Sequence, residues 1–553
     1  MQRSRSNSSS STPPGRGPSW APSLIAAWLA VLGAGESLGQ EVPTTLPAEV
    51  RRSLSAITGA DIIARAKVLC DPKLRGREAS STGAHKAARY VADQFRRLGL
   101  LPGGSAGSYY QVFKIRPGYQ IASELAFRIG SVPIGDFKRG HDYMPAHLPG
   151  GKAQVDAECV LAGYGISAPR LKFDEFEGID VKGRAVFVFS GVPWPRGINR
   201  STSRPVTTAL AGPWPEPGPE AAKFGSIEYK ARNAAARGAA CLFVVDNPAG
   251  WRRDLKVPQR LRIPDTSWPI KAGIPVVHVT RELLAEVTKM SVPELRMLAS
   301  DIARQREPES MLLRGRRVQL RASMSGQARM GRNIIAILPG RDGALKTQAV
   351  VIGAHYDHLG EGEEGTIYFG ANDNAAGVGA MLAVARAFAA LPGGSKRTVV
   401  FVAFDAEEIG RRGSKHYTSR PAVSMDRTVL MINFDMIGRN QPDSVNAVGT
   451  RSSAQLHAIH QQANRHVGLT LVHPSSFRLG LSDHSPFYYA NVPIMYLFGG
   501  RDPDYNTPRD TWDKLIPGKV EKVAKLAFLT AWAVAQRRER ITLSKAADPW
   551  SVD

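Results

Sequence analysis

The apolar positions along this chain fall into three successive patterns. Between 57 and 100 they recur at helical spacing, in ADIIARAKVLC and again in AHKAARYVADQFRRLGL (84–100). The second run stops at Gly99 with two arginines in its last turns, an ordinary helix end. The polar DPKLRGREASSTG between them reads as a loop. From 141 to about 320 short β-rich runs take over: ECVLAGYGI (158–166), RAVFVFSGV (184–192), AACLFVVDN (239–247) and IPVVHVT (274–280). The Pro-rich PVTTALAGPWPEPGPEAAKFG (205–225) reads as a loop, and IEYKARNAAARG (227–238) as a helix leading to the third run. From 330 onward the apolar runs are continuous: RNIIAIL (332–338), AVVIGAHYD (349–357), TVVFVAFDAEE (398–408) and TVLMINFDM (428–436). Helical segments 375–391, 453–468 and 518–540 alternate with them. Strands without a polar face, alternating with helices, predict an α/β fold whose mostly parallel mixed sheet is covered by helices on both sides.

Length and charge refine this picture. A chain of 553 residues predicts more than one domain. The divisions expected are an export signal at 1–40, the first part of the main domain at 41–140, a β-rich insert at 141–320, the main α/β domain at 321–540 and a tail at 541–553. Arg3, Arg5 and Arg16 precede the apolar APSLIAAWLAVLGAG (21–35), which is short for a membrane span, and Ser37-Leu38-Gly39 offers a cleavage point. Export is therefore expected, to a periplasmic, cell-surface or extracellular location; an uncleaved anchor is the alternative. The net charge of +23 is spread in pairs such as Arg51-Arg52, Arg96-Arg97 and Arg411-Arg412. With no long basic block and no zinc-finger spacing, it does not suggest nucleic-acid binding. Cys70, Cys159 and Cys241 allow one disulfide with a thiol left over, or three buried thiols.

The candidate chemistry lies where the strands stop. AVVIGA runs into His355-Tyr356-Asp357, TVVFVAF leads to Glu407-Glu408, and TVLMINF ends in Asp435; Asp373 sits at a loop-to-helix junction in FGANDNAAG. Open α/β sheets bind ligands outside the carboxyl ends of their strands, so one imidazole and several carboxylates should meet in one crevice. Crowded carboxylates call for a cation, and imidazole with carboxylate is a zinc-type donor set.

These segments resemble the co-catalytic zinc aminopeptidases, the peptidase family that also holds glutamate carboxypeptidase and the transferrin receptor. The resemblance rests on LRGREASSTGAHKAARYVADQFRRLGLLP (74–102), GAHYDHLG (353–360), GANDNAAGVGAML (370–382), FVAFDAEEIGRRGS (401–414), MINFDMIGR (431–439) and SDHSPFYYANVPIMYLF (482–498). The insert resembles a protease-associated domain. The resemblance implies that His355 and Asp435 hold one zinc, Asp373 bridges two metals, Glu408 binds the other, and Glu407 is the general base for peptide hydrolysis by a metal-activated water. It implies that Asp357 hydrogen-bonds His355 and that His484 lines the substrate side. The family's last ligand, a His between Tyr and Thr, is Asn506 here, followed by Thr507-Pro508 and a helix expected to be capped by Asp510 or Thr511. The amide oxygen of Asn506 is a weak zinc donor. The expectation is thus one firm zinc and a second site that is weak or takes another divalent metal. The function expected is an exopeptidase acting on peptide N-termini, an aminopeptidase. A carboxypeptidase, a glutaminyl-cyclase-like single-zinc enzyme or a non-catalytic receptor-like homologue are the alternatives, and neither oligomeric state nor preferred N-terminal residue is legible.

Overall fold

Three of the apolar runs lie side by side because every residue in them is buried. Ala349–His355, Thr398–Phe404 and Thr428–Asp435 form parallel neighbours at the centre of a sheet in a computed structural model. The structure describes residues 42–193, 223–246, 270–305, 307–362, 365–474 and 482–543. The export signal, most of the Pro-rich 205–225 loop and most of the tail lie outside the described residues.

Ile494–Phe498 continues the parallel set past Thr428–Asp435; Ser444–Val448 then pairs antiparallel, and Thr470–Val472 forms the edge. On the other side, residues 334–338 of the long strand Ser310–Leu338 pair antiparallel with Thr398–Phe404. One face of this sheet is covered by helices Gly59–Leu69, Thr82–Arg97, Ala376–Ala389 and Pro517–Gln536. Ala376–Ala389 is built almost wholly of small and apolar residues, and all but two of them are buried, as suits a helix packed on nearly every side. The opposite face carries a smaller core of Val351, Val400, Phe404, Met431, Tyr417 and Phe487. Gly353 sits in this face because a Cβ there would lie 2.5 Å from the Phe404 ring. The sheet is mostly parallel, mixed and helix-covered, as the hydrophobic pattern predicts.

The second part repeats the theme. Lys152–Ala162, Ala185–Phe189, Cys241–Val245 and Val276–Val279 run parallel, with Tyr143–His147 antiparallel at the edge. Phe187 and Phe243 stack at 4.7 Å inside it. Its cores share no residue with that of the main sheet. The two parts are joined by a long ribbon that the hydrophobic pattern does not reveal, in which Tyr110–Ile129 pairs antiparallel with Ser310–Leu338. Residues 310–323 also pair with Lys152–Ala162, so one hydrogen-bonded sheet runs through both parts. Core side chains of the second part span Leu125 to Met324, and the ribbon therefore crosses the divisions drawn at 140 and 320.

All three cysteines are buried free thiols. Burial pushes the Cys70 and Cys159 thiols up to about 12, which makes them poor nucleophiles. No described helix is long and apolar enough to cross a membrane.

Candidate metal centre

His355 closes its strand fully buried. Its Nε2 stands 3.3 Å from Asp373 Oδ1 and 3.4 Å from Asp435 Oδ1. Neither His355 Nε2 nor Asp435 Oδ1 has a hydrogen-bond partner, although both are buried. Buried polar atoms are almost always satisfied, so an orphaned imidazole nitrogen beside an orphaned carboxylate oxygen fits a cation between them. These three residues offer one donor atom each within 4.8 Å of one another.

A second group shares Asp373: its carboxylate, Glu408 and His358 also bring donor atoms within 4.8 Å of one another. His358 Nδ1 lies 2.7 Å from Glu408 Oε1, and its buried Nε2 has no hydrogen-bond partner. His358 is a candidate ligand that the sequence does not single out. It stands in the quoted GAHYDHLG, three residues after His355, and the second group therefore holds an imidazole besides Asp373 and Glu408. Both groups have the nitrogen-and-oxygen character of a zinc site.

The loops bearing these donors are fixed by buried polar groups. The guanidinium of Arg77, fully buried, donates to the carbonyls of Tyr356 (2.8 Å), Phe369 (2.8 Å) and Gly370 (3.0 Å), and also to Leu69. It thereby ties the His358 loop to the Asp373 loop. The backbone N–H groups of His358 and Gly360 donate to Arg77 and Gly76 at 3.1 and 2.9 Å. Gly370 has φ +58°, and a Cβ there would lie 2.4 Å from His358 Cγ, so the missing side chain makes room for the ring. Asp510 does not cap the following helix. Its carboxylate accepts the N–H groups of Asn372 and Asp373 and so holds the Asp373 turn.

Asp357 has two tasks. Its backbone carbonyl is 3.2 Å from His355 Nδ1, closer than its carboxylate at 3.7 Å. The carboxylate instead accepts the N–H groups of Glu407 (3.0 Å) and Glu408 (3.3 Å), fixing the turn that presents both. Glu407 stands beside the two groups. Burial pushes its carboxyl well above the usual range; His355 opposes this, while Glu408, Asp483 and Asp435 add to it. Asp373 is pushed up to about 6 and Asp483 to about 7, chiefly by burial. The side chains alone make a crowd of carboxylates reluctant to ionise together, and a divalent cation among them removes that repulsion. Burial also works against a charged ring at His355, but Asp435, Asp357 and Asp373 outweigh it and hold its pKa well above the ordinary imidazole value.

His484 is fully buried, its ring stacked on Tyr496 with centroids 4.2 Å apart. Asn506 lies in a turn at φ +60°, a left-handed conformation that asparagine tolerates. That turn lies between Asp502, which accepts from Asn372 Nδ2 at 2.8 Å, and Asp510.

The chain is similar to known proteins in sequence and in fold. Residues 333–531 match Peptidase family M28. Aminopeptidase YwaD of Bacillus subtilis is 25% identical over 335 residues, which are 58% of this chain and 63% of that protein, just under two thirds of its length. Two solved structures share the fold across both parts: an aminopeptidase from Aneurinibacillus sp. strain AM-1 and BSAP, a zinc aminopeptidase from Bacillus subtilis. The first has TM-score 0.57 and 21% identity and covers 90% of this chain and 98% of its own. The second has TM-score 0.58 and 19% identity, with 89% and 98% covered.

Proposed function

We propose that this chain, a peptidase family M28 protein across residues 333–531, is an exported zinc aminopeptidase that removes N-terminal residues from peptides. The observation that carries the reading is a pair of three-donor groups sharing Asp373, with Glu407 beside them. The names of its relatives support the same reaction. His355, Asp373 and Asp435 would hold one zinc, and His358, Asp373 and Glu408 the other. In this reading Asn506 need not be a ligand, because His358 supplies the imidazole. When bound, such a pair of zinc ions lowers the pKa of water and polarises a carbonyl oxygen. Glu407 takes a proton from the attacking water and returns it to the departing amine. Asp357 keeps Glu407 and Glu408 in place through their backbone N–H groups.

The charge balance favours the amino end of a peptide. Asp373, Glu407, Glu408, Asp435 and Asp483 crowd the site with carboxylates, and those that stay ionised beside the metals offer a free amine a counter-charge. The second part, a protease-associated type of insert in this reading, would shape the cleft without adding chemistry.

The test is a screen of aminoacyl substrates against N-blocked peptides, with metal content measured on the same sample. Free-amine substrates should be hydrolysed, N-blocked ones left intact, and activity lost to a chelator and restored by zinc. Release of C-terminal residues from N-blocked peptides, cyclisation of glutaminyl peptides without hydrolysis, or a zinc-loaded but inert protein would each replace this reading with one of the alternatives.

A further inference from the structure

Away from the peptidase site, three imidazoles converge at the edge of the sheet. Helix Ala454–Asn464 presents His457 and His460 one turn apart, and His473 follows the edge strand Thr470–Val472. Their ring centroids are 4.9, 5.0 and 5.1 Å apart, and one nitrogen from each lies within 4.8 Å of the others.

The hydrogen bonds around the rings leave lone pairs turned inward. His460 is fully buried; its Nδ1 lies 3.1 Å from the Leu456 carbonyl and so carries the proton, while its Nε2 has no partner at all. His473 Nδ1 lies 3.2 Å from the Ala447 carbonyl and 3.3 Å from Thr450 Oγ1. Its Nε2, 3.3 Å from the side-chain amide nitrogen of Gln461, therefore accepts. The Nδ1 of His457 is buried and has no partner. His460, whose Nδ1 donates to a backbone carbonyl while Nε2 stays open, is oriented as metal-binding histidines are; His473 donates to a carbonyl in the same way, with its Nε2 held by the Gln461 amide. Burial also lowers the pKa of all three rings and so favours the uncharged form that a ligand needs; His460 is pushed down to about 3. None of the three residues belongs to the peptidase site, and no ring is hydrogen-bonded to another.

We propose that His457, His460 and His473 form a separate three-imidazole site for a zinc ion, which pins the edge strand to its neighbouring helix. Zinc–nitrogen bonds of about 2.0–2.1 Å put two imidazole donors roughly 3.4 Å apart in a tetrahedral site. Binding would exchange the Gln461 hydrogen bond of His473 for a metal bond. A fourth position is left for water. Copper(II) also suits such a donor set and serves as a probe.

The full chain, stripped by a chelator and reloaded with zinc chloride, should hold one more zinc per molecule than either His460→Gln or His473→Gln. Hydrolysis of a free-amine substrate should be unchanged in both variants. His473 is only half-buried, so its variant keeps the test open if His460→Gln does not fold. Loaded with copper(II), the wild-type protein should show coupling to three nitrogens by electron paramagnetic resonance, a pattern the peptidase groups cannot produce because each holds one imidazole. The variants should lack it. Equal zinc content in all three proteins, or no three-nitrogen copper signal in the wild type, would overturn the proposal.

Discussion

The two parts of this molecule use the same architecture for different ends. Each has a set of parallel strands with no exposed residue at its centre, flanked by helices. In the main part the strand ends deliver His355, Glu407, Glu408 and Asp435 to one place. In the second part, among the described residues, the buried charged side chains are Glu175 and Lys230, and each is satisfied by backbone groups around Tyr164. Glu175 accepts the N–H groups of Tyr164 (2.8 Å) and Ile166 (2.9 Å), and Lys230 donates to the Tyr164 carbonyl. The main part gathers orphaned polar atoms of both a carboxylate and imidazoles, where a cation would fit; the second part leaves His278 Nε2 without a partner but answers its two buried charges with backbone groups. A parallel sheet thus makes a crevice available, and only the residues at its mouth decide whether chemistry follows.

The largest effect expected is at Glu407, the proposed base. Glu407→Gln should preserve fold and zinc content yet lower turnover about 10³-fold, within the range of a lost general base. Near-normal turnover in a properly loaded variant would remove Glu407 from the mechanism and leave the two parts less different than described. Next is the pair in the second part. Glu175→Gln leaves a buried ammonium without its counter-charge and should cost about 3 kcal/mol. By hydrogen exchange the loss of protection should be confined to segments such as 152–162 and 241–245, while 349–355 and 428–435 stay protected. Loss of protection throughout would show that the ribbon makes one cooperative unit of both parts.

Much of the candidate site is legible in the sequence because His355 and Asp435 end continuous apolar runs and Glu407-Glu408 follow one, and such runs identify buried strands; Asp373, at a loop-to-helix junction, stands outside that pattern. His358 escapes that logic. It lies beyond its strand, in a loop whose path is set by pairing of 358–360 with 76–78 and by Arg77, contacts between segments far apart in the chain. Arg77 and Asp510 escape for the same reason: each is a charged residue in a polar stretch whose burial no local pattern encodes. The ribbon is missed differently. Residues 121–129 and 310–325 alternate exposed and buried positions and carry arginines outward, so they lack the unbroken apolar run that marks the central strands.

A smaller effect probes the loop that seats His358. Gly370→Ala adds a Cβ at φ +58° against the His358 ring, and should cost about 1–2 kcal/mol and weaken zinc binding at the second group. Unchanged stability and zinc affinity would mean that the ring is not held there.

The central claim is that His358, rather than Asn506, completes the second metal group. It is tested most directly by counting zinc per chain, after extended dialysis, in the wild type, His358→Gln and Asn506→Gly. Glycine suits the left-handed backbone at 506, so that variant removes the amide with little strain. The account predicts that His358→Gln loses about one zinc per chain while Asn506→Gly loses none. Loss of a zinc from Asn506→Gly with full retention in His358→Gln would contradict it.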